Sequence, residues 1–347
     1  MVSDSATAGG GIRLATTAAG EREGPDARRW LQLVLAAIWL LDGELQYQSA
    51  MFTRAFGEML AATAPGNPAA IAGPITWAAG IIEQHPAATN SGFASIQLLL
   101  GLGIAFRPTA RAALAASIGW SVAVWWLGEG LGGVLTGSAS PLNGAPGAAV
   151  LYALVAVLLW PRPGSGEPDV PFVAATAVGV RAARALWVLL WSSLAYFAIA
   201  AGNRTAQGLH DAVAGLAAGE PGWLARLNHA SAGLLAGRGL AASIGLAALL
   251  TAIAVGVLLP PRLARAGVIL ALVVSVVLWV AGQDLGGVLA GGATDVDSGP
   301  LLALLALAYW PSVRGGPDRR ELGYGGPVPG DQEQSGAGRR RRERAAA

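Results

Sequence analysis

The sequence predicts an all-α integral membrane protein with eight transmembrane helices, arranged as two tandem four-helix repeats in parallel orientation. Three observations carry that prediction. Of the 347 residues, 54% are hydrophobic and only 13% charged, against about 25% charged in soluble domains. Nearly half of the charged residues lie in 1–29 and 312–347, so the stretch between is too uniformly apolar for a water-soluble globule. Two segments 154 residues apart also read almost alike: Trp125–Gly137 is WWLGEGLGGVLTG and Trp279–Gly291 is WVAGQDLGGVLAG.

The spans are read at Trp30–Ala50, Gly92–Phe106, Ala112–Leu135, Gly147–Trp160, Ala185–Gly202, Gly239–Leu259, Gly267–Leu285 and Gly299–Trp310. Some fall short of the ~20 residues a span needs and must extend into flanking polar residues. The chain then divides into a disordered N-terminus (1–29), a first membrane repeat (30–161), a linker (162–184), a second repeat (185–311) and a disordered Arg-rich tail (312–347). Residues 1–29 lack the basic–apolar–small pattern of a cleavable signal peptide. The outer loops, 51–91 and 203–238, hold Ala-rich apolar stretches broken by Gly and Pro, which predict short outer-leaflet or re-entrant helices.

An even number of spans puts both termini on one side, and that side carries 19 of the 23 Arg. The positive-inside rule makes it the cytoplasm, so the expected location is the inner (plasma) membrane. Arg111 matches Arg265 and Pro146 matches Pro300 at the same offset of 154, while Trp160–Pro161 and Trp310–Pro311 match at 150. The difference is about one helical turn, so the fourth span of the second copy is expected to be shorter by roughly 6 Å with its facing kept. Four spans per copy preserve orientation, giving a parallel repeat about the membrane normal.

Composition excludes several classes. With no Cys there is no disulfide, iron–sulfur or thiol chemistry in the chain. Three His are too few for a His-rich metal site, and a net charge of +2 offers no basic face to nucleic acid. Every basic residue is Arg, which with abundant Ala, Gly and Pro points to GC-rich, bacterial coding. No nucleotide loop, metal signature or nucleophile–base arrangement is visible, so no catalytic residue, metal ligand or cofactor is assigned and the reading leans away from an enzyme.

A four-helix unit with a long first outer loop, a Gly-rich third span and Arg-bearing inner turns resembles the DoxX-like family of bacterial membrane proteins, over 30–161 and again over 185–311. The resemblance is topological and carries over no residue. It implies respiratory or quinone-associated redox partners.

The candidate ligand-binding residues are Asp42, Glu44, Gln46, Gln97, Trp125 and Glu129. The apolar run Trp30–Leu41 gives only about 18 Å of helix, short of a ~30 Å hydrocarbon core. If the helix continues, Asp42, Glu44, Gln46 and Gln48 lie in the outer half of the membrane, where a carboxylate must face protein or water. Asp42 and Gln46 share one face, as do Glu44 and Gln48. With Glu129 and Gln97 they can line a polar pocket walled by Trp125 and Trp126. The competing readings are a buried structural network, or a span that ends at the turn dipeptide Asp42–Gly43 and opens a loop.

Other motifs have plainer readings. Gly128/Gly132 and Gly133/Gly137, repeated at Gly282/Gly286 and Gly287/Gly291, are GxxxG pairs that suit close helix packing, with ligand approach to bare backbone as the alternative. Asp295, Asp297 and Ser298 before Gly299–Pro300 read as a helix cap, with outer-surface cation binding as the alternative. His85 and His229 read as loop residues, with a metal or haem pair across the pseudo-twofold as the sharper alternative. His210–Asp211 is an outer-loop pair. Arg339–Arg342 is a solvated run able to meet anionic lipid. The expected partners are membrane lipid and a membrane protein or second copy of the chain. The leading expectation is a small or lipid-like ligand in the first repeat's outer pocket. A redox-system subunit and a proton- or cation-coupled transporter are the alternatives.

Overall fold

The computed structural model describes residues 26–162, 170–200 and 202–311. Nearly all of the N-terminal segment and the Arg-rich tail lie outside it. Every regular element among the described residues is helical: α1 (Ala27–Leu45), α2 (Arg54–Ala61), α3 (Ala69–Gln84), α4 (Pro86–Ala105), α5 (Ala110–Leu127), α6 (Ala148–Leu158), α7 (Ala174–Val178), α8 (Val180–Ala198), α9 (Gly208–Gly215), α10 (Gly222–Leu235), α11 (Gly239–Gly256), α12 (Pro261–Val277) and α13 (Ser298–Ala308).

Four helices are long and apolar enough to cross a membrane: α4, α5, α11, and α12 with its more widely wound continuation Leu278–Gly282. Among the other expected spans, α1 and α8 have 19 residues but carry charge, and α6 and α13 have 11. The expected outer-loop helices occur as α2 and α3, and as α9 and α10. The 162–184 linker is not wholly irregular: it contains α7, and α8 begins at Val180, ahead of the expected span start at 185.

Helix α1 starts where the Asp26 side chain accepts the Arg29 backbone N–H at 3.1 Å, filling one of the orphan donors of a first turn. It runs through Asp42–Gly43 without a break, so that dipeptide is not a turn. A Cβ on Gly43 would fall 2.7 Å from Leu98, and one on Gly101 would fall 2.9 Å from the Ala36 carbonyl. Bare backbone at these two points lets α1 and α4 pack closely. At the other end the Arg29 guanidinium donates to the Ile104 carbonyl at 2.9 Å and to that of Ala105, and Gln32 Nε2 donates to the Leu159 carbonyl at 2.9 Å. These caps satisfy the last carbonyls of α4 and of the segment following α6, where a cation also complements the helix dipole.

The core continues from these helices into α6, α8, α11, α12 and α13. Trp187 and Trp191 are fully buried there, with Trp187 Nε1 donating to the Ile253 carbonyl at 2.9 Å and Tyr309 Oη to that of Ala183 at 2.5 Å. A buried indole usually finds such an acceptor; the Trp191 Nε1 is enclosed without one.

The segment expected to extend the third span to Leu135 is the largest departure. Helix α5 stops at Leu127, and Gly130–Gly133 is a tight turn with Leu131 at φ 59° and Gly132 at φ 62°. Leu285 and Gly286 take the same left-handed geometry, at φ 56° and 75°. The glycine pairs therefore do not pack helix on helix. They turn the chain through backbone angles that favour glycine. Trp125 Nε1 donates to the Pro146 carbonyl at 2.7 Å, and Trp279 Nε1 to the Val296 carbonyl at 2.9 Å. The second indole's acceptor is thus Val296 and not Pro300, and α6 and α13 both have 11 residues, so the expected shortening of the last span is not found.

Candidate functional site

Asp42 sits on the last turn of α1 and is completely buried. Tyr152 of α6 donates its hydroxyl to Asp42 Oδ2, while Asp42 Oδ1 has no partner. One turn later Gln46 is 2% exposed. Its backbone carbonyl, left over beyond the helix end, accepts from Asn90 Nδ2 at 2.7 Å. Its side chain reaches the Thr294 carbonyl at 3.4 Å, and Gln48 reaches that of Ala293 at 3.3 Å. These two amides hold the strap before α13 against the end of α1.

That strap brings Asp295 beside Glu129. Glu129 Oε1 accepts the Ala149 backbone N–H at 2.9 Å, capping the start of α6, and Oε2 is enclosed without a partner. Gln283 does the equivalent work in the second half, accepting from the Gly299 N–H at 3.0 Å. Glu129 and Asp295 border three chambers. One is a cavity of about 420 Å³ with largely apolar walls, among them Phe56, Trp77, Phe93 and Trp120, and a polar edge of Gln46, Gln97, Glu129 and Asp295. The second is a water-sized space of about 20 Å³ next to Asp42, Tyr152 and Ser121. The third, about 380 Å³, is lined by Thr136, Ser138, Asn143 and Asp297 as well.

The structure brings Asp42, Gln46, Gln97 and Glu129 around these spaces. Glu44 does not join them: it is exposed, on a different face of α1 from Asp42. Trp125 braces the α5–α6 connection through Pro146 and does not border the large cavity, and Trp126 is 39% exposed. The aromatic wall is instead Phe93 and Trp120, edge to face at 5.4 Å. Sequence reasoning passed over Tyr152, Trp120 and Asp295. Tyr152 is the one hydroxyl of an otherwise apolar helix, and Asp295 was absorbed into the cap. The cap belongs to Asp297, whose Oδ1 accepts the Ser298 N–H.

His85 is exposed between α3 and α4, and His229 is exposed within α10, not in a loop. No group of three His, Asp or Glu able to hold a metal ion occurs among the described residues. His210 and Asp211 pair at 2.9 Å on the surface. No protein-family model matches the chain, and no curated protein or solved structure is significantly similar to it.

Burial and the neighbouring Asp295 raise the Asp297 carboxyl from its ordinary value of 3.8 to about 7, and burial raises Asp295 in the same direction. An acid whose folded pKa is raised contributes stability that is full below its unfolded pKa and lost as pH climbs through the folded value. The protein is therefore expected to melt at a lower temperature at pH 8 than at pH 5, and Asp297→Asn to flatten that difference. A Tm in neutral detergent that rises between pH 5 and pH 8 contradicts this account.

Proposed function

We propose that the chain is an eight-span protein of the bacterial plasma membrane, built from two tandem four-helix copies of DoxX-like type, that binds a lipid-like molecule in the cavity of its first half. The observation that carries the binding reading is an amphipathic cavity whose polar edge contains buried acceptors without partners. Gln46, Gln97 and Glu129, each with an enclosed oxygen that lacks a partner, border it, and Asp42 borders the small space behind. Small-molecule sites combine apolar walls with a few convergent polar groups in this way. Unmet buried acceptors are costly unless something donates to them.

The tandem reading is supported by the order of the elements. Long, two short, long, long, turn, short describes α1 to α6 and again α8 to α13. Arg111 lies 6.0 Å from the Trp160 ring and Arg265 5.7 Å from that of Trp310, closing the same end of each copy. Orientation rests on the Arg excess at that end.

Single cysteines in this Cys-free chain test both parts. Ala69→Cys is expected to react with a membrane-impermeant maleimide on intact cells, and Pro108→Cys only after permeabilisation. Ala123→Cys, on the cavity wall, is expected to react at least fivefold more slowly with N-ethylmaleimide once the purified protein is given a monoacylglycerol. Labelling of Pro108→Cys on intact cells refutes the orientation. Equal rates at Ala123→Cys with and without the lipid refute the cavity as its site.

A further inference from the structure

We propose that the head group taken by this cavity is a primary or secondary ammonium, so that the ligand class is lipophilic amines; this rests on the cavity reading above. Around these chambers the polar atoms enclosed without a partner are the acceptors of Asp42, Gln46, Gln97 and Glu129, the Ser121 hydroxyl, and one donor, the Trp120 indole N–H. Gln46 and Gln97 are 2% and 7% exposed, and both residues border the large cavity. A ligand that satisfies the four carboxyl and amide oxygens must donate, and an ammonium offers N–H groups, while the Trp120 ring beside them offers a face to its charge.

Charge points the same way. Asp42, Glu129 and Asp295 border the small space, and Glu129, Asp295 and Asp297 the polar one. No Arg or His lines any of the three chambers. Among the described residues the ion pairs are Arg54–Glu83 and His210–Asp211, both elsewhere. Carboxyls gathered out of water with no cationic side chain are expensive to ionise, and a bound cation offsets that cost. An anionic head would add to the repulsion. The cavity walls also suit a cation: Phe93 stands edge to face with Trp120 at 5.4 Å and with Phe56 at 5.9 Å, and aromatic faces attract ammonium groups.

Four probes on one skeleton separate the possibilities: 4-phenylbutylamine, its N,N,N-trimethyl derivative, 4-phenylbutanol and 4-phenylbutanoate. They are titrated calorimetrically into the full-length protein in nanodiscs at pH 7. The primary amine is expected to bind at least tenfold tighter than the alcohol and the carboxylate, and tighter than the trimethyl derivative, which has charge but no N–H. Glu129→Gln and Asp295→Asn should each reduce the amine's advantage over the alcohol to about threefold or less. An alcohol that equals the amine overturns the ammonium assignment while leaving the cavity reading intact. A trimethyl derivative that equals the amine overturns the need for N–H donation. If none of the four binds while a monoacylglycerol still protects Ala123→Cys, the amine assignment fails alone. If that protection is also missing, the cavity reading fails with it.

Discussion

Gly132→Ala is expected to leave little or no folded protein, whereas Gly287→Ala yields a protein that purifies and melts cooperatively. Gly132 has φ 62°, and a Cβ there would overlap the carbonyl oxygen and carbon of Pro146. Both are backbone atoms, and the same oxygen is held by the Trp125 indole, so neither side has a soft direction in which to move. The alanine must open the turn, lose the indole's acceptor and displace the start of α6, where Glu129 caps. Gly286 is tight to a lesser degree, its Cβ falling 2.8 Å from the carbonyl carbon and oxygen of Val296. Gly287 has φ 65° but nothing within 4 Å, so its alanine meets only the left-handed penalty of roughly 1–2 kcal/mol. The expected order of damage is Gly132, then Gly286, then Gly287, read from size-exclusion profile and Tm in one detergent. Equal Tm for Gly132→Ala and Gly287→Ala means the turn is not packed on Pro146 as described.

The same turn marks where the sequence stopped being legible. Glycines four apart in an apolar run fit helix packing and a sharp turn equally well by composition. What decides is backbone angle, and the contact that fixes it, with Pro146, lies in the loop leading to α6. Polar residues stranded in apolar helices were readable, which is why Asp42, Gln46, Gln97 and Glu129 were found and lie together. Glu44 was not separable from them until α1 proved continuous, because a helix places residues two apart about 200° around its axis. Asp295 was misread for a different reason. Its own neighbourhood is a helix start, and a local cap two residues later accounts for the carboxylates there. Its place beside Glu129 depends on the strap pinned by Gln46 and Gln48, a relation between parts of the chain that no local pattern encodes.

The Asp42–Tyr152 pair yields the second large effect, and its sign depends on how many partners are removed. Tyr152→Phe keeps the ring, which stacks on Trp39 with centroids 4.2 Å apart, but takes away the hydroxyl that donates to a fully buried carboxyl. A buried acid deprived of its side-chain donor is destabilised, here by about 1–3 kcal/mol, and at roughly 2–4 °C per kcal/mol the fall in Tm is easily measured. Asp42→Leu alone strands the Tyr152 hydroxyl and is expected to cost a comparable amount, about 1–3 kcal/mol. Making both changes removes both polar groups and leaves apolar surface beside the water-sized space next to Asp42, which gives the leucine room. Replacing a buried polar pair by apolar groups of similar volume is often neutral or better. The double variant should therefore melt above Tyr152→Phe, although it carries one more substitution. A double variant that loses the sum of the single losses would mean that the two groups do not depend on each other, and that Asp42 is held by some other donor. Recovery in the double variant would place the cost in the polarity of the pair. Asp42 and Tyr152 are then groups the fold carries at a loss, the pattern expected of residues kept for a ligand.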